Sequence, residues 1–261
     1  MNQVSSLLIS GLATILLTGM SGNINIDKSM SSWVKLSGSD GKDICVNDKG
    51  EFYLVNTANK LYKYEGPKWK ELSTMNEVKF FAENNGIRIF FKGRCLISHD
   101  CKQQGLKVTG NYHQECAYDK EPNDLAIGSD SVVWHADSYS NKLFVIKCGT
   151  NLHTLGMNIS RIAAGGGGGQ IWMIDKAGKI YQLKDPKHIG MGWELKPGGD
   201  ARDITVTNDG YVFMVDTKGR IYQWTGFRWD QLDGSDGLRI SANNRKIVLI
   251  NTQREMYTRN Y

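Results

Sequence analysis

Proline is scarce, with 4 in 261 residues, so little material is available for a rigid linker between domains. Long apolar runs are scarce too. The one candidate, "LLISGLATILLTG" from Leu7 to Gly19, is too short to cross a bilayer as a helix. No stretch sustains the apolar period of 3.6 residues, which argues against helix-bundle folds. Charge of one sign is not in large excess. The net charge of +5 is mild and dispersed, and we expect no nucleic-acid partner. Catalytic signatures are missing as well: there is no G-x-S-x-G, no metal-ligand spacing and no sialidase-type Asp box. We therefore expect no enzyme, no cofactor and no metal.

Cysteine is limited to five residues. Cys45 falls in an apolar strand-like run and reads as a buried free thiol. Cys95, Cys101, Cys116 and Cys148 surround an irregular stretch and are disulfide candidates if the chain is secreted, with Cys101 and Cys116 one plausible pair. His99, Cys101, His113 and Cys116 offer zinc-type side chains, but their spacing matches no strong pattern.

Secretion depends on the N-terminus. Residues 1–22 read as a signal peptide, with the Leu7–Gly19 run as the apolar region and Gly19 and Ser21 as small residues near a cleavage site. No Lys or Arg precedes the run, which counts against this. The alternative is a retained segment on a cytoplasmic or membrane-associated protein. Residues 23–30 form a short segment, and residues 31–261 form the folded domain. "NIS" at Asn158 is a glycosylation sequon that matters only in a secreted chain.

What the chain has in quantity is glycine, 29 residues, and a repeated sentence. "WVKL" at Trp33, "WKEL" at Trp69 and "WDQL" at Trp229 share one pattern, and Trp193 opens "WELKPG". Eleven residues after each Trp stands Ile44, Phe80, Ile240 or Ile204, opening a short strand. Leu125 and Ile162 open two more. A turn such as "NDKG" or "TNDG" follows each, then an apolar strand such as "FYLV" or "VFMV", then a second turn and a third strand such as "KLYKY" or "RIYQW". In the second unit the Trp position is weakest, at Gly105 in "GLKVTG". About nine extra residues near "NYHQECAYD" follow it. Turns at this spacing between β-branched and aromatic runs predict antiparallel meanders.

Four strands repeated in six units predict an all-β, six-bladed β-propeller of four-stranded antiparallel blades. The last unit ends after three strands at Tyr261, and the strand at Trp33 has no preceding unit. The N-terminal strand is therefore expected to pair with the last blade and close the ring.

The pattern W-x-x-L-x-G, then D-I-x-V, N-D-G-x-V-F-x-V and G-x-I-Y, resembles the tectonin repeat over residues 31–261. The resemblance is nearest in the first and fifth units. It implies a six-bladed propeller, and many such proteins bind sugars or glycolipids of microbial surfaces. Others act inside cells as interaction modules. Two functions are thus open: a secreted lectin recognising glycans or glycolipids through several turn sites, or a non-catalytic intracellular scaffold with a membrane-surface or protein partner.

The Trp of W-x-x-L recurs within a strand and reads as packing between blades. Trp224 differs. It ends a third strand beside the turn "TGFR", where its ring is a candidate sugar platform with Arg228 as hydrogen-bond donor. Tyr64 with Lys68 repeats the arrangement in the first unit. Finally, Asp43, Lys79, Asp124, Arg161, Asp203 and Arg239 precede the inner strands with alternating sign. In a closed ring each acid then has a base on both sides, and most neighbouring pairs are expected within about 4 Å.

Overall fold

The structure is a computed structural model that describes residues 32–72, 78–84, 87–92, 95–99, 112–116, 124–128, 130, 132–137, 142–147, 150–156, 158–166, 170–185, 192–234 and 236–261. It is a β-propeller of small four-stranded antiparallel sheets. A two-residue strand, β1 (Val34–Lys35), comes first. Blade 1 follows as β2 (Gly41–Val46), β3 (Phe52–Asn56), β4 (Leu61–Tyr64) and β5 (Trp69–Glu71). Blade 2 is β6 (Val78–Asn84), β7 (Ile87–Lys92), β8 (Cys95–His99) and β9 (Tyr112–Cys116). Blade 3 is β10 (Asp124–Ile127), β11 (Val133–Asp137), β12 (Lys142–Lys147) and β13 (Thr150–Gly156). Blade 4 is β14 (Ile159–Gly165), β15 (Gln170–Asp175), β16 (Ile180–Leu183) and β17 (Trp193–Leu195). Blade 5 is β18 (Ala201–Val206), β19 (Val212–Asp216), β20 (Ile221–Trp224) and β21 (Trp229–Gln231). Blade 6 joins β22 (Gly237–Asn243), β23 (Lys246–Asn251) and β24 (Met256–Asn260) to β1.

The first strand of each blade packs against the first strand of the next, and β22 returns to β2. The closing register sets Val34 opposite Thr258 and Lys35 opposite Tyr257. Leu36 extends it, its N–H donating to the Met256 carbonyl at 2.9 Å. The second strands carry the core. Residues Val212–Asp216 and Ile247–Asn251 are buried throughout, because each blade is covered on both faces. Trp134 and Trp172 lie fully buried at the same layer. Each buried Ile, Leu or Phe there contributes about 1.5–3 kcal/mol over leaving it exposed. Four of the six outer strands, β1, β5, β17 and β21, are only two or three residues long, which limits their use as templates for edge pairing.

The W-x-x-L-x-G sentence explains how blades join. The indole N–H of three of the strap Trp residues donates to a carbonyl four residues after the Trp of the preceding blade. Trp33 reaches Asp233 at 2.8 Å, Trp69 reaches Ser37 at 2.8 Å and Trp229 reaches Pro197 at 2.9 Å. The glycine after each acceptor makes room for that indole. A Cβ at Gly234 would lie 2.6 Å from Trp33 Nε1, and one at Gly198 would lie 3.1 Å from Trp229 Cδ1. Both glycines, with φ of +107° and +99°, hold a backbone shape that side chains disfavour.

One strand differs from expectation. The fourth strand of blade 2 is Tyr112–Cys116, inside the stretch read as an insertion, and "GLKVTG" lies outside the described residues. Its register pairs Cys95 with Cys116 and His99 with Tyr112. A strand needs a partner ladder more than it needs the Trp motif, and "YHQEC" carries neither W-x-x-L nor clean alternation to mark it.

Candidate functional site

The propeller axis comes first, because the inner strands bring the alternating charges there. In β2, β14, β18 and β22 the register with the second strand skips one residue just before Asp43, Arg161, Asp203 and Arg239. Such bulges re-aim the residue that follows. Arg239 Nη2 lies 3.2 Å from Asp43 Oδ1, and its Nη1 lies 3.3 Å from Asp203 Oδ1. Arg161 Nε lies 3.4 Å from the same Asp203 oxygen. Three neighbouring pairs thus meet within salt-bridge distance. The side chain of Lys79 lies outside the described residues.

The acids do a second task. Asp203 Oδ2 accepts the N–H of Ile240 at 2.8 Å, and Asp124 Oδ2 accepts the N–H of Ile162 at 2.9 Å. Asp43 likewise takes a backbone hydrogen bond from Phe81. Each acid therefore staples its blade to the next one. Burial raises the Asp43 carboxyl above its usual range, with Arg239 opposing the rise. Burial pushes Asp124 up to about 7, with Arg161 and Arg239 opposing. Burial, joined by the Arg239 charge, lowers Arg161. Burial acts the same way on Arg239, yet the carboxylates of Asp203 and Asp43 outweigh it and raise that guanidinium. A cavity of about 100 Å³ sits on the axis, lined by Asp43, Asp124, Asp203 and Arg239 among inner-strand residues. Asp203 already holds two guanidinium groups and a backbone N–H, so it is poorly placed to act as a base or a metal ligand.

The turns at the blade ends remain. Trp224 ends β20 and faces Trp229 across the strand pair, with ring centroids 5.1 Å apart. Trp172 closes the group at 5.6 Å from Trp224 and 6.0 Å from Trp229. Trp224 is half-buried in this cluster and keeps one part of its ring for solvent. Tyr64 repeats the arrangement, with its ring 5.0 Å from Trp69. Matching two-residue loops connect each pair: Thr225 N–H donates to the Arg228 carbonyl at 2.9 Å, and Glu65 N–H to the Lys68 carbonyl at 2.8 Å. Arg228 does not join Trp224. Its Nε binds Asp230 at 2.7 Å, and its guanidinium lies 5.5 Å from the Phe227 ring centroid. Lys68 is exposed at the same loop of blade 1.

Two aromatic side chains that sequence reasoning missed stand out at this end of blade 5. Phe227 is 71% exposed and Tyr211 is 46% exposed. Tyr211 follows the first turn, at the position that Glu51 holds in blade 1. The signal was available: an aromatic residue stands where the pattern calls for a polar one. Both residues lie at the end that carries the first and third turns, since β18 and β20 run the same way.

Of the remaining candidates, Cys45 forms no disulfide among the described residues and is only partly buried, where a buried thiol was expected. Cys101 and Cys148 lie outside the described residues, as do residues 1–31, which include the expected signal peptide. Cys95 and Cys116 are known here by their backbone register alone. Asn158 is exposed. Among the described residues no group of acidic, His and Cys side chains could hold a metal ion.

Residues 158–261, which span blades 4, 5 and 6 up to the closing strand, match the Tectonin domain. No curated protein matches the chain. Among solved structures, a streptogramin B lyase is similar with a TM-score of 0.58 and 15% identity, over 88% of this chain and 86% of that one. The selenomethionine-substituted virginiamycin B lyase from Staphylococcus aureus is similar with a TM-score of 0.54 and 16% identity, over 87% of each chain. At such identities the likeness is one of fold.

Proposed function

We propose that this tectonin-repeat β-propeller is a six-bladed, non-catalytic, lectin-like protein that binds glycans or glycolipids at its blade turns. The observation that carries the reading is the aromatic end of blade 5. There Trp224 is half-exposed at a turn, Phe227 stands out in water and Arg228 with Asp230 supplies both donors and acceptors beside them. The rings of Trp224 and Phe227 lie at one turn, and a pyranose presents an apolar face of suitable size with hydroxyls around its edge. The match of residues 158–261 to the Tectonin domain supports the same reading. The axis offers less, because its carboxylates are engaged by guanidinium groups and backbone N–H groups.

Repetition matters to this function. Tyr64 with Lys68 repeats the loop geometry of Trp224 with Arg228, so weak sites recur around one end and gain strength on a multivalent surface. A glycan array that includes bacterial lipopolysaccharide should show binding, with single-site dissociation constants of about 1 mM to 1 μM. Trp224→Ala should weaken it while leaving the thermal unfolding transition cooperative. Silence across a broad array from the folded protein would sink the lectin reading and leave the scaffold reading in its place.

A further inference from the structure

We propose that a specific glycan subsite for uncharged sugars lies between blades 5 and 6, built on Tyr211, Tyr261 and Asp209; it rests on the lectin reading above. Three observations meet at this place.

The first is a corner of two rings. Tyr211 and Tyr261 have centroids 5.4 Å apart at an interplanar angle of 65°. Tyr261 is braced from behind by Phe213, at 5.0 Å, and its N–H donates to the Arg245 carbonyl at 3.1 Å. The corner is therefore rigid, while the Tyr211 ring is 46% exposed. A rigid, half-exposed ring is a stacking surface that loses little entropy on binding.

The second is a fixed carboxylate beside the rings. Asp209 Oδ1 accepts hydrogen bonds from the Thr207 hydroxyl and, at 3.3 Å, from the Tyr261 hydroxyl. These bonds hold the group in one orientation. Its Oδ2 accepts no hydrogen bond from the described residues and Asp209 is exposed, so one acceptor oxygen remains for a ligand hydroxyl.

The third is a contrast with blade 1. The residue equivalent to Tyr211 there is Glu51, and it is fully engaged. Lys63 lies 2.7 Å away, and Asn47 and Tyr53 donate at 2.8 and 3.2 Å. Blade 1 closes the place with an internal ion pair, whereas blade 5 leaves an aromatic ring and a carboxylate open. The chemistry decides the ligand class. A ring face needs the apolar face of a pyranose, and a carboxylate acceptor needs hydroxyl or amide donors. A fixed negative charge also repels sialic or uronic acids. The subsite therefore takes uncharged hexoses or N-acetylhexosamines.

Titration of the intact protein with methyl glycosides of glucose, galactose, mannose and N-acetylglucosamine, followed by backbone amide chemical shifts, tests this. At least one glycoside should shift the Gly210 and Tyr211 amides, and N-acetylneuraminic acid should not. Tyr211→Ala should weaken that binding about tenfold, Tyr211→Phe should keep it within about threefold, and Asp209→Asn should weaken it severalfold. The Phe variant preserves packing and separates loss of the platform from loss of fold. If a glycoside binds but shifts only amides elsewhere, or binds Tyr211→Ala as well as the parent, the subsite is wrong and the lectin reading stands. If no glycoside shifts any amide, the subsite is wrong, and the glycan array decides separately whether the lectin reading fails with it.

Discussion

At the scale of single residues, the tryptophans divide by what their indole nitrogen meets. Trp33, Trp69 and Trp229 donate to the carbonyl that the preceding blade offers. Trp193 occupies the same motif position, yet its buried Nε1 has no hydrogen-bond partner among the described residues. The preceding blade is blade 3, where Leu152 stands in for Trp, and its outer strand does not complete the strap. A buried unmade hydrogen bond costs about 1–3 kcal/mol, and a made one contributes about 1 kcal/mol. Trp229→Phe removes a bond that is made, whereas Trp193→Phe removes a donor that is not. Both lose similar ring volume. Urea unfolding should therefore show Trp229→Phe to be the more destabilising, by about 1–2 kcal/mol relative to Trp193→Phe. Equal effects would mean that the strap bond adds nothing to packing.

At the scale of the strand, β1 is two residues long and exposed on both, so it contributes little burial of its own. Its value is positional. It covers the outer edge of β24, its Lys35 holds Glu255 at 2.6 Å, and Trp33 ties it to blade 5. Deleting residues 31–38 also removes Gly38 and the Ser37 carbonyl that Trp69 uses. Calorimetry of that deletion should show a broadened, less cooperative transition, with aggregation from the open edge. Deleting residues 1–22 should leave the transition in place. Similar behaviour of the two deletions would count against a ring-closing role for β1.

At the scale of the whole molecule, the alternating charges act as one network across blades 1, 4, 5 and 6. Its pH dependence has a definite sign. Asp124 is raised to about 7 in the folded state, from 3.8 in an exposed chain. Between those values the native state holds more protons than the unfolded one, so stability falls as pH rises from about 4 to about 7. Asp43 is raised too and acts in the same direction. Glu51 works in the opposite sense. It is lowered from 4.5 to about 2, first by its hydrogen bond from Lys63, and its contribution is lost as pH falls through that window. Melting temperatures of the parent and of Asp124→Asn, measured from pH 4 to pH 8, should differ in slope. The parent should lose stability toward pH 7, and the variant should be flatter. Parallel curves would show that Asp124 does not titrate in this range.

Sequence by itself determined the repeat, and with it the strand order. Short continuous apolar runs such as "VFMV" and "IVLI", the turns between them and the unpaired "WVKL" at one end sufficed, because strand formation and turn chemistry are local. Although each lies within its strand and not before it, the charges of the inner strands were equally legible as a pattern. Their meeting was not, since it depends on bulges that skip Lys42, Ser160, Arg202 and Leu238 and turn the following residues toward the axis. The strand at Tyr112–Cys116 was hidden for a related reason: its identity comes from the ladder with β8 and not from any motif of its own. Tertiary structure also decided which aromatic residues are available to a ligand. Trp224, a strand end beside a turn, packs on Trp172 and Trp229, while Tyr211, which the sequence does not single out, stands open beside Asp209. Exposure is set by neighbours from other strands and other blades, and the local pattern marks Tyr211 only as an aromatic residue at a polar position.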